Sequence, residues 1–362
     1  MLTLTDIANG TSERRPIQAA HHKDCIEPLM LCLEQKFPMT NLVAIGHRVV
    51  HGGDRYYEPQ RLTSDVMEAL RRLSPYDPDH LPGEIELIEA CCQRYPTFLQ
   101  VACFDTAFHR DMPRVARLLP IPRRYDAAGV QRYGFHGLSY AYLMEELTSI
   151  APHQAKGRII LAHLGNGASM AAVQGGKGID TSMGFTPAAG LPMSTRSGDL
   201  DPGLVSYLST TEGMTVQQFH TMVNQQSGLL GVSETSSDLR DLLASESQDP
   251  RAAEAVALFC YQAKKWIGSF AAALGGLDTL VFSGGIGENS VVIRSRICEG
   301  LEFLGIALDE TGNESGAAII SREGTRVTVR VIQTDEESQI ARSVLQVLGK
   351  EHRQSVEESV ST

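Results

Sequence analysis

Apolar positions along this chain follow two rhythms. Short continuous or alternating apolar runs predict strands, and longer stretches with apolar residues at helical spacing predict helices. At the start, LTLTDIANGTSERRPI reads as strand, Asn9-Gly10 turn, strand, because Asn-Gly between alternating residues favours a hairpin. A helix is expected over Asp24 to Gln35. LVAIGHRVVHGG is an apolar strand ending in a polar, glycine-bearing loop. Helices follow from about Ser64 to Leu73 and from about Glu84 to Arg94, and VACFDTAFH is a short buried strand with charged residues at its C-terminal end.

The second half repeats this grammar. Arg158 to His163 predicts a strand, Leu164-Gly165-Asn166-Gly167 a tight turn, and Ala168 to Val173 the returning strand. Ala252 to Gly275 has no internal proline and apolar residues at helical spacing, so a long helix is expected. Leu277 to Phe282 is an apolar strand that breaks at Gly284-Gly285-Ile286-Gly287 and opens a helix. Val327 to Ile332 is a late strand, followed by Asp335-Glu336-Glu337, a last helix to about Leu348, and a polar tail over 351–362 expected to fray. Strands alternating with helices predict an α/β fold with mixed sheets. A length of 362 residues exceeds one ordinary core, so two domains are expected, and the similar grammar of the halves is consistent with a duplicated domain.

Charge narrows the function. The net charge of −11 argues against a nucleic-acid backbone as partner, which requires a basic face. It leaves room for an anionic substrate in a locally basic site. No apolar run approaches the length of a membrane span and the N-terminus has no signal-like pattern, so no membrane association is expected. Cys25, Cys32, Cys91, Cys92, Cys103, Cys260 and Cys298 are odd in number and show no metal-type spacing. They read as small hydrophobes of a protein in a reducing cytoplasm.

Three glycine turns follow apolar strands: HGG at His51, HLGNGAS at His163 and SGGIGENS at Ser283. Such turns let backbone N–H groups converge on phosphate oxygens, and a helix opening from one adds a favourable dipole. No GxxxxGK[ST] pattern is present, so this is no P-loop protein. Arg48 in GHRVVHGG and Arg196 in TRSGDLDPG suit bidentate recognition of phosphate or carboxylate, or alternatively a surface pairing of Arg196 with Asp199 or Asp201. His136, between Gly134 and Gly137, either donates to a transferring phosphoryl oxygen or starts a helix with a structural hydrogen bond. Asp105, after a buried strand, is either a metal- or water-positioning carboxylate or a helix cap.

GHRVVHGG, FDTAFH, YGFHGLSY, HLGNGAS, DTSMGFTPAAGL, TRSGDLDPG, SSDLR, GGIGENS and TDEE, in this order, resemble the acetate kinase (acetokinase) family from about Gly46 to about Leu348. The resemblance implies a two-domain fold of the actin, sugar kinase and Hsp70-like (ribonuclease H-like) kind, with a homodimer as the usual assembly. It places residues 1–107 with 338–350 in an acetate-side domain and 108–337 in a nucleotide-binding domain. It implies reversible transfer of the ATP γ-phosphoryl group to acetate, giving acetyl phosphate and ADP, with Mg2+ (Mn2+ as the alternative) as cofactor. A propionate kinase or a catalytically silent nucleotide-binding relative is the competing reading.

By the same resemblance, Arg48 and Arg196 hold acetate and stabilise the transition state, His136 contacts the moving phosphoryl group, and Asp105 is the catalytic acidic residue. His163, Leu164, Gly165, Asn166 and Gly167 match the phosphate-contacting loop. Asp238, Leu239 and Arg240, with Gly284, Gly285, Ile286, Gly287 and Glu288, match the segments that hold the nucleoside. Val50, Phe135 and Pro187 match the small apolar pocket for the substrate, and the metal-binding glutamate falls at Glu337 or Glu336, with Glu337 favoured. The segment SPYDPDHLPGE at Ser74 departs from the family's wording of a leucine and His-Asn-Pro, which bears on the pocket shape near Tyr76 to Leu81. The family's opening strand and Asn-Ala-Gly-Ser-Ser-Ser turn with its following lysine have no match ahead of GHRVVHGG. ANGTSERR at Ala8 lies too close to Arg48 and lacks the lysine. The first domain is therefore expected to be incomplete, with weakened activity, a tendency to aggregate, and recovery on upstream extension.

Overall fold

The computed structural model describes residues 2–6, 11–17 and 22–360. The chain divides into two compact units, one running to Phe104 and resuming at Ile340, the other from Asp105 to Gln339.

In the first unit, β1 (Leu2–Asp6) and β2 (Thr11–Arg15) pair antiparallel with Asp6 opposite Thr11. The Asn9-Gly10 turn expected between them lies outside the described residues. β3 (Ala44–Val49), β4 (Gln60–Arg61) and β5 (Leu99–Phe104) form a sheet of order β3-β5-β4, with β3 and β5 parallel. Parallel neighbours need a long crossover, supplied here by helices Ser64–Leu73 and Leu81–Arg94. The first is capped by Thr63, whose side chain accepts from the Val66 amide, and it buries Val66, Met67, Ala69 and Leu70. The second starts at Leu81 rather than Glu84 because Pro82, in its first turn, already has helical φ and needs no N–H partner there. The expected helix at Asp24 begins as a 3-10 turn, His22–Cys25, and becomes α-helical over Ile26–Lys36.

The second unit is built on five strands: β6 (Arg158–Leu164), β7 (Ala168–Gln174), β8 (Lys177–Thr181), β9 (Thr279–Ser283) and β10 (Thr328–Val331). Their order is β10-β9-β6-β7-β8, with the first three parallel and the last three antiparallel. Ile159, Leu161, Ala171, Val173 and Val281 are fully buried and pack with Tyr140, Leu143 and Leu147 of helix Gly137–Ile150. Burial on both faces explains why β6 and β9 read as unbroken apolar runs.

Helix Pro250–Ala273 matches its apolar period, with Asp249 capping it by accepting from the Arg251 amide. Helices Gly203–Glu212 and Val216–Gln225 were not expected. Neither has a buried residue, so no apolar stripe marks them in the sequence. The last helix, Glu336–Val360, runs past the end expected at Leu348. Its continuation GKEHRQSVEESV is polar and carries no proline, and neither polarity nor one glycine, which costs about 1 kcal/mol against alanine, need stop a helix.

Among the described residues no helix is long and apolar enough to cross a membrane.

Candidate functional site

The strand register gathers three motifs at one end of the second unit's sheet. His163 on β6 stands opposite Ser283 on β9, and Phe282 on β9 opposite Val331 on β10. The turns that follow, Gly165–Gly167 and Gly284–Glu288, and the segment from Thr334 to Glu336 therefore leave the carboxyl ends of adjacent parallel strands, where α/β sheets place ligands. Gly284 has φ +75, and a Cβ there would lie 2.7 Å from the Leu164 carbonyl oxygen. Only glycine admits so close a passage of the two turns.

Glu288 ties these segments together. Its Oε1 accepts from the Gly284 amide at 2.8 Å and from the Thr334 amide at 3.0 Å. The Asn166 side chain accepts from Ser194 Oγ at 3.1 Å, which joins the β6–β7 turn to the segment carrying Arg196. A cavity of about 610 Å³ opens beside these turns, lined by Gly165, Asn166, Ser194, Ser237, Asp238, Leu239, Arg240, Leu243, Gly285, Ile286, Asn289 and Ser290. The structure thus brings seven of the residues matched to nucleotide binding around one space. Asp238 caps helix Leu239–Ser245, and the Arg240 guanidinium beside it holds its carboxyl down at about 2. Leu164 and Gly287 are buried beneath the turns.

His136 and Arg196 meet at Gly167. A Cβ on Gly167 would lie 3.0 Å from His136 Nε2 and 3.3 Å from Arg196 Nη2, so the glycine leaves both nitrogens facing one small space. His136 caps helix Gly137–Ile150 with φ 58, a left-handed conformation uncommon outside glycine and frequent at functional positions. Its Nδ1 lies 2.8 Å from Ser169 Oγ, and its ring stacks on His163 at 4.4 Å between centroids. His136 thus starts a helix, with Nε2 turned to the space at Gly167. Arg196 Nη1 donates to the Pro187 carbonyl at 2.9 Å. The acids considered as its surface partners serve the backbone: Asp199 accepts from the Gly190 amide and Asp201 from the Gly203 amide.

Asp105 is fully buried, and its carbonyl accepts from the Gly137 amide at 2.8 Å, directly behind His136. Phe135 is buried, with its carbonyl 3.0 Å from His109 Nε2, and Pro187 is buried on the segment that holds Arg196. Arg48 lies near the end of β3 in the first unit and Val50 directly follows the strand, where the Val50 amide donates to Glu84 Oε2 at 2.9 Å. Glu336 and Glu337 open the last helix. Glu337 is exposed, whereas Glu336 acts electrostatically on Tyr140. Sequence reasoning missed Ser139, Tyr140, Ser169 and Thr334. Ser139 Oγ lies 2.8 Å from His163 Nδ1 and 2.7 Å from Thr334 Oγ1. The signal available was helical spacing, since Tyr140 follows His136 by four residues.

Burial pushes the His109 imidazole from its ordinary 6.5 down to about 4, so it is neutral at pH 7. The unfolded chain takes up this proton at higher pH than the folded one. The stabilisation is therefore complete above about 6.5 and is lost as pH falls toward 4, by up to roughly 1.4 kcal/mol per pH unit. Chemical denaturation at pH 7, 6, 5 and 4.5 is expected to show this slope, flattened in His109→Gln; an unchanged slope in the variant would refute the assignment.

A family model described as the acetokinase family matches residues 2–342. The acetate kinase of Methylocella silvestris is 44% identical over 332 residues, which cover 92% of this chain and 82% of that protein. The crystal structure of Porphyromonas gingivalis acetate kinase superposes with a TM-score of 0.87 at 37% identity, covering 96% of this chain and 89% of the other. That of a propionate kinase from Francisella tularensis gives 0.87 at 38% identity, covering 92% and 86%.

Proposed function

The chain belongs to the acetokinase family, and from that premise we propose that it transfers the γ-phosphoryl group of ATP reversibly to acetate, giving acetyl phosphate and ADP. The observation that carries this reading is the convergence of His136 Nε2 and Arg196 Nη2 at Gly167, one residue beyond a nucleotide-sized cavity.

Phosphoryl transfer asks for positioning and charge neutralisation rather than covalent help from the protein. The nucleoside lies against Asp238, Leu239, Arg240, Gly285 and Ile286, with the phosphates directed to Asn166 and Gly167. A carboxylate oxygen of acetate forms the new bond to the γ-phosphorus as the bond to the bridging oxygen breaks, and ADP keeps that electron pair. His136 and Arg196 donate to the equatorial oxygens, where charge gathers in the transition state. Phe135 and Pro187 supply apolar surface for the methyl group, and Asp105 supports the backbone behind His136. For Arg48 and Val50, as carboxylate-holding and pocket residues, the support is the family resemblance. An apolar pocket discriminates one methylene by only about 1–3 kcal/mol, so slower use of propionate is part of this reading.

A divalent ion, Mg2+ by preference, accompanies the nucleotide. Among the described residues no group of three or more His, Cys, Asp or Glu could by itself hold a metal. Mg2+ is commonly held by phosphates and water with one or two protein carboxylates. Glu336, which acts on Tyr140 behind His136, is the better-placed carboxylate, rather than the exposed Glu337. When bound, the ion would neutralise phosphate charge.

The protein pairs as a homodimer through an apolar face of the second unit. Leu258 and Tyr261 of helix Pro250–Ala273 are 37% and 59% exposed, and Leu200 is 45% exposed. Leu200, Leu258, Lys265 and Trp266 line one cavity of about 500 Å³. Tyr261→Glu is expected to convert the species seen by light scattering from dimer to monomer; a monomeric parent chain would sink this proposal. The free thiols of all seven cysteines suit a reducing cytoplasm.

The deciding experiment is trapping of acetyl phosphate as the hydroxamate from purified protein, MgATP and acetate. Product supports the proposal. ADP binding by the folded protein without product would mark a silent nucleotide-binding relative instead.

A further inference from the structure

A chain of two hydroxyls lies behind His136. Ser169 is fully buried on β7, and its Oγ lies 2.8 Å from His136 Nδ1 and 2.5 Å from the Tyr140 hydroxyl. Tyr140 is itself fully buried, one helical turn beyond His136. Among the described residues its hydroxyl has Ser169 Oγ as its hydrogen-bond partner.

Each hydroxyl has one proton to give, so the pattern has a direction. Because Tyr140 is fully buried, its phenolic proton has Ser169 Oγ as its acceptor. Ser169 then gives its own proton to His136 Nδ1. The reverse order would run from His136 Nδ1–H to Ser169 and on to Tyr140. The phenolic proton would then be left without an acceptor in a buried place. An imidazole that accepts at Nδ1 is neutral and carries its proton on Nε2, the atom that faces Gly167 beside Arg196. The stacked His163 ring, 4.4 Å away, adds to this preference, because two imidazolium cations so close would repel.

We propose that Tyr140 and Ser169 are positioning residues that hold His136 as the neutral Nε2–H tautomer, aimed at the space it shares with Arg196. The relay deepens the phosphoryl-transfer reading and rests on it for its catalytic meaning. The tautomer, however, can be read without any turnover. Nitrogen-15 NMR of histidine-labelled protein, with the His136 signals identified from a His136→Asn variant, reports which ring nitrogen carries the proton.

The parent protein is expected to show Nε2–H at His136. Tyr140→Phe, which keeps the buried ring, and Ser169→Ala are each expected to move the population toward Nδ1–H. Both should lower kcat by roughly ten- to a hundred-fold, the range found for groups that orient a catalytic ligand, with KM for ATP and acetate little changed. Two variants are used so that a folding defect in one leaves the other informative. An Nδ1–H tautomer in the parent, or an unchanged tautomer in a folded variant, overturns the relay. A tautomer that moves as expected while kcat stays constant upholds the relay and overturns the catalytic role of His136.

Discussion

Arg196→Ala is expected to cut acetyl phosphate formation by roughly a thousandfold or more, with nucleotide affinity and melting temperature close to those of the parent protein. A thousandfold corresponds to about 4 kcal/mol of transition-state stabilisation, within the range for a cation facing charge that develops on a transferring phosphoryl group. The fold should tolerate the loss because backbone bonds hold the loop. Met193 N donates to the Arg196 carbonyl at 2.9 Å, Ser197 N to Val223 O at 2.8 Å, and Ser227 N to Thr195 O at 2.9 Å. The truncated side chain leaves the Pro187 carbonyl without its guanidinium donor, a cost of about 1 kcal/mol for that bond. Arg196→Lys restores charge but not the planar fork, so only part of the rate should return. Single-turnover kinetics beside ADP titration and thermal melting separate these effects. A variant that keeps parental kcat would remove Arg196 from the reaction, and one that fails to melt cooperatively would give the loop a structural role instead.

The two units differed in how much their sequence disclosed. β6 and β9 are buried on both sides, so their apolar runs were plain, and helix Ser64–Leu73 was legible because its buried face recurs at helical spacing. β8 is short and mixed in character. Its only local mark is the Gly175-Gly176 turn, where both glycines have positive φ. The helices between Gly203 and Gln225 have no buried face to betray them.

At the site, the glycine turns and the residues within them were readable as motifs, because close backbone approach restricts which residues fit. Partners supplied from elsewhere in the chain were not. Ser169 is separated from His136 by 33 residues, and Ser139 from Thr334 by 195, and no local pattern predicts such pairings. The choice between Glu336 and Glu337 has the same character. Neighbours on a helix point about 100° apart, and only the surroundings decide which of them faces the site.

Arg294 shows how a residue that no motif marked can govern a site that motifs define. It is 1% exposed, and its guanidinium donates to Asn313 Oδ1 at 2.7 Å, the Asn313 carbonyl at 3.0 Å, the Gly287 carbonyl at 3.0 Å and the Glu288 carbonyl at 2.8 Å. Gly287 and Glu288 belong to the short helix Gly284–Asn289, whose Gly285, Ile286 and Asn289 line the nucleotide cavity. Asn313, also 1% exposed, passes the connection on to Val291 and Ser295. Burial without a carboxylate partner pulls the Arg294 pKa below its ordinary value, and the four oxygen acceptors are what compensate the buried charge.

Arg294→Met keeps most of the volume and removes every donor. Four oxygens, three of them in buried contacts, would lose this partner, and even after relaxation the cost should reach about 3 kcal/mol. For a unit of this size that is a fall in Tm of roughly 6–12 °C. Because the freed carbonyls sit under the cavity wall, ADP affinity should weaken as well, whereas Arg294→Lys, with one nitrogen, should recover only part of either. Differential scanning calorimetry with and without MgADP reads both effects. A methionine variant with parental Tm would show that the carbonyls find other donors. One with lowered Tm but parental ADP affinity would show that the wall keeps its shape without the arginine beneath it.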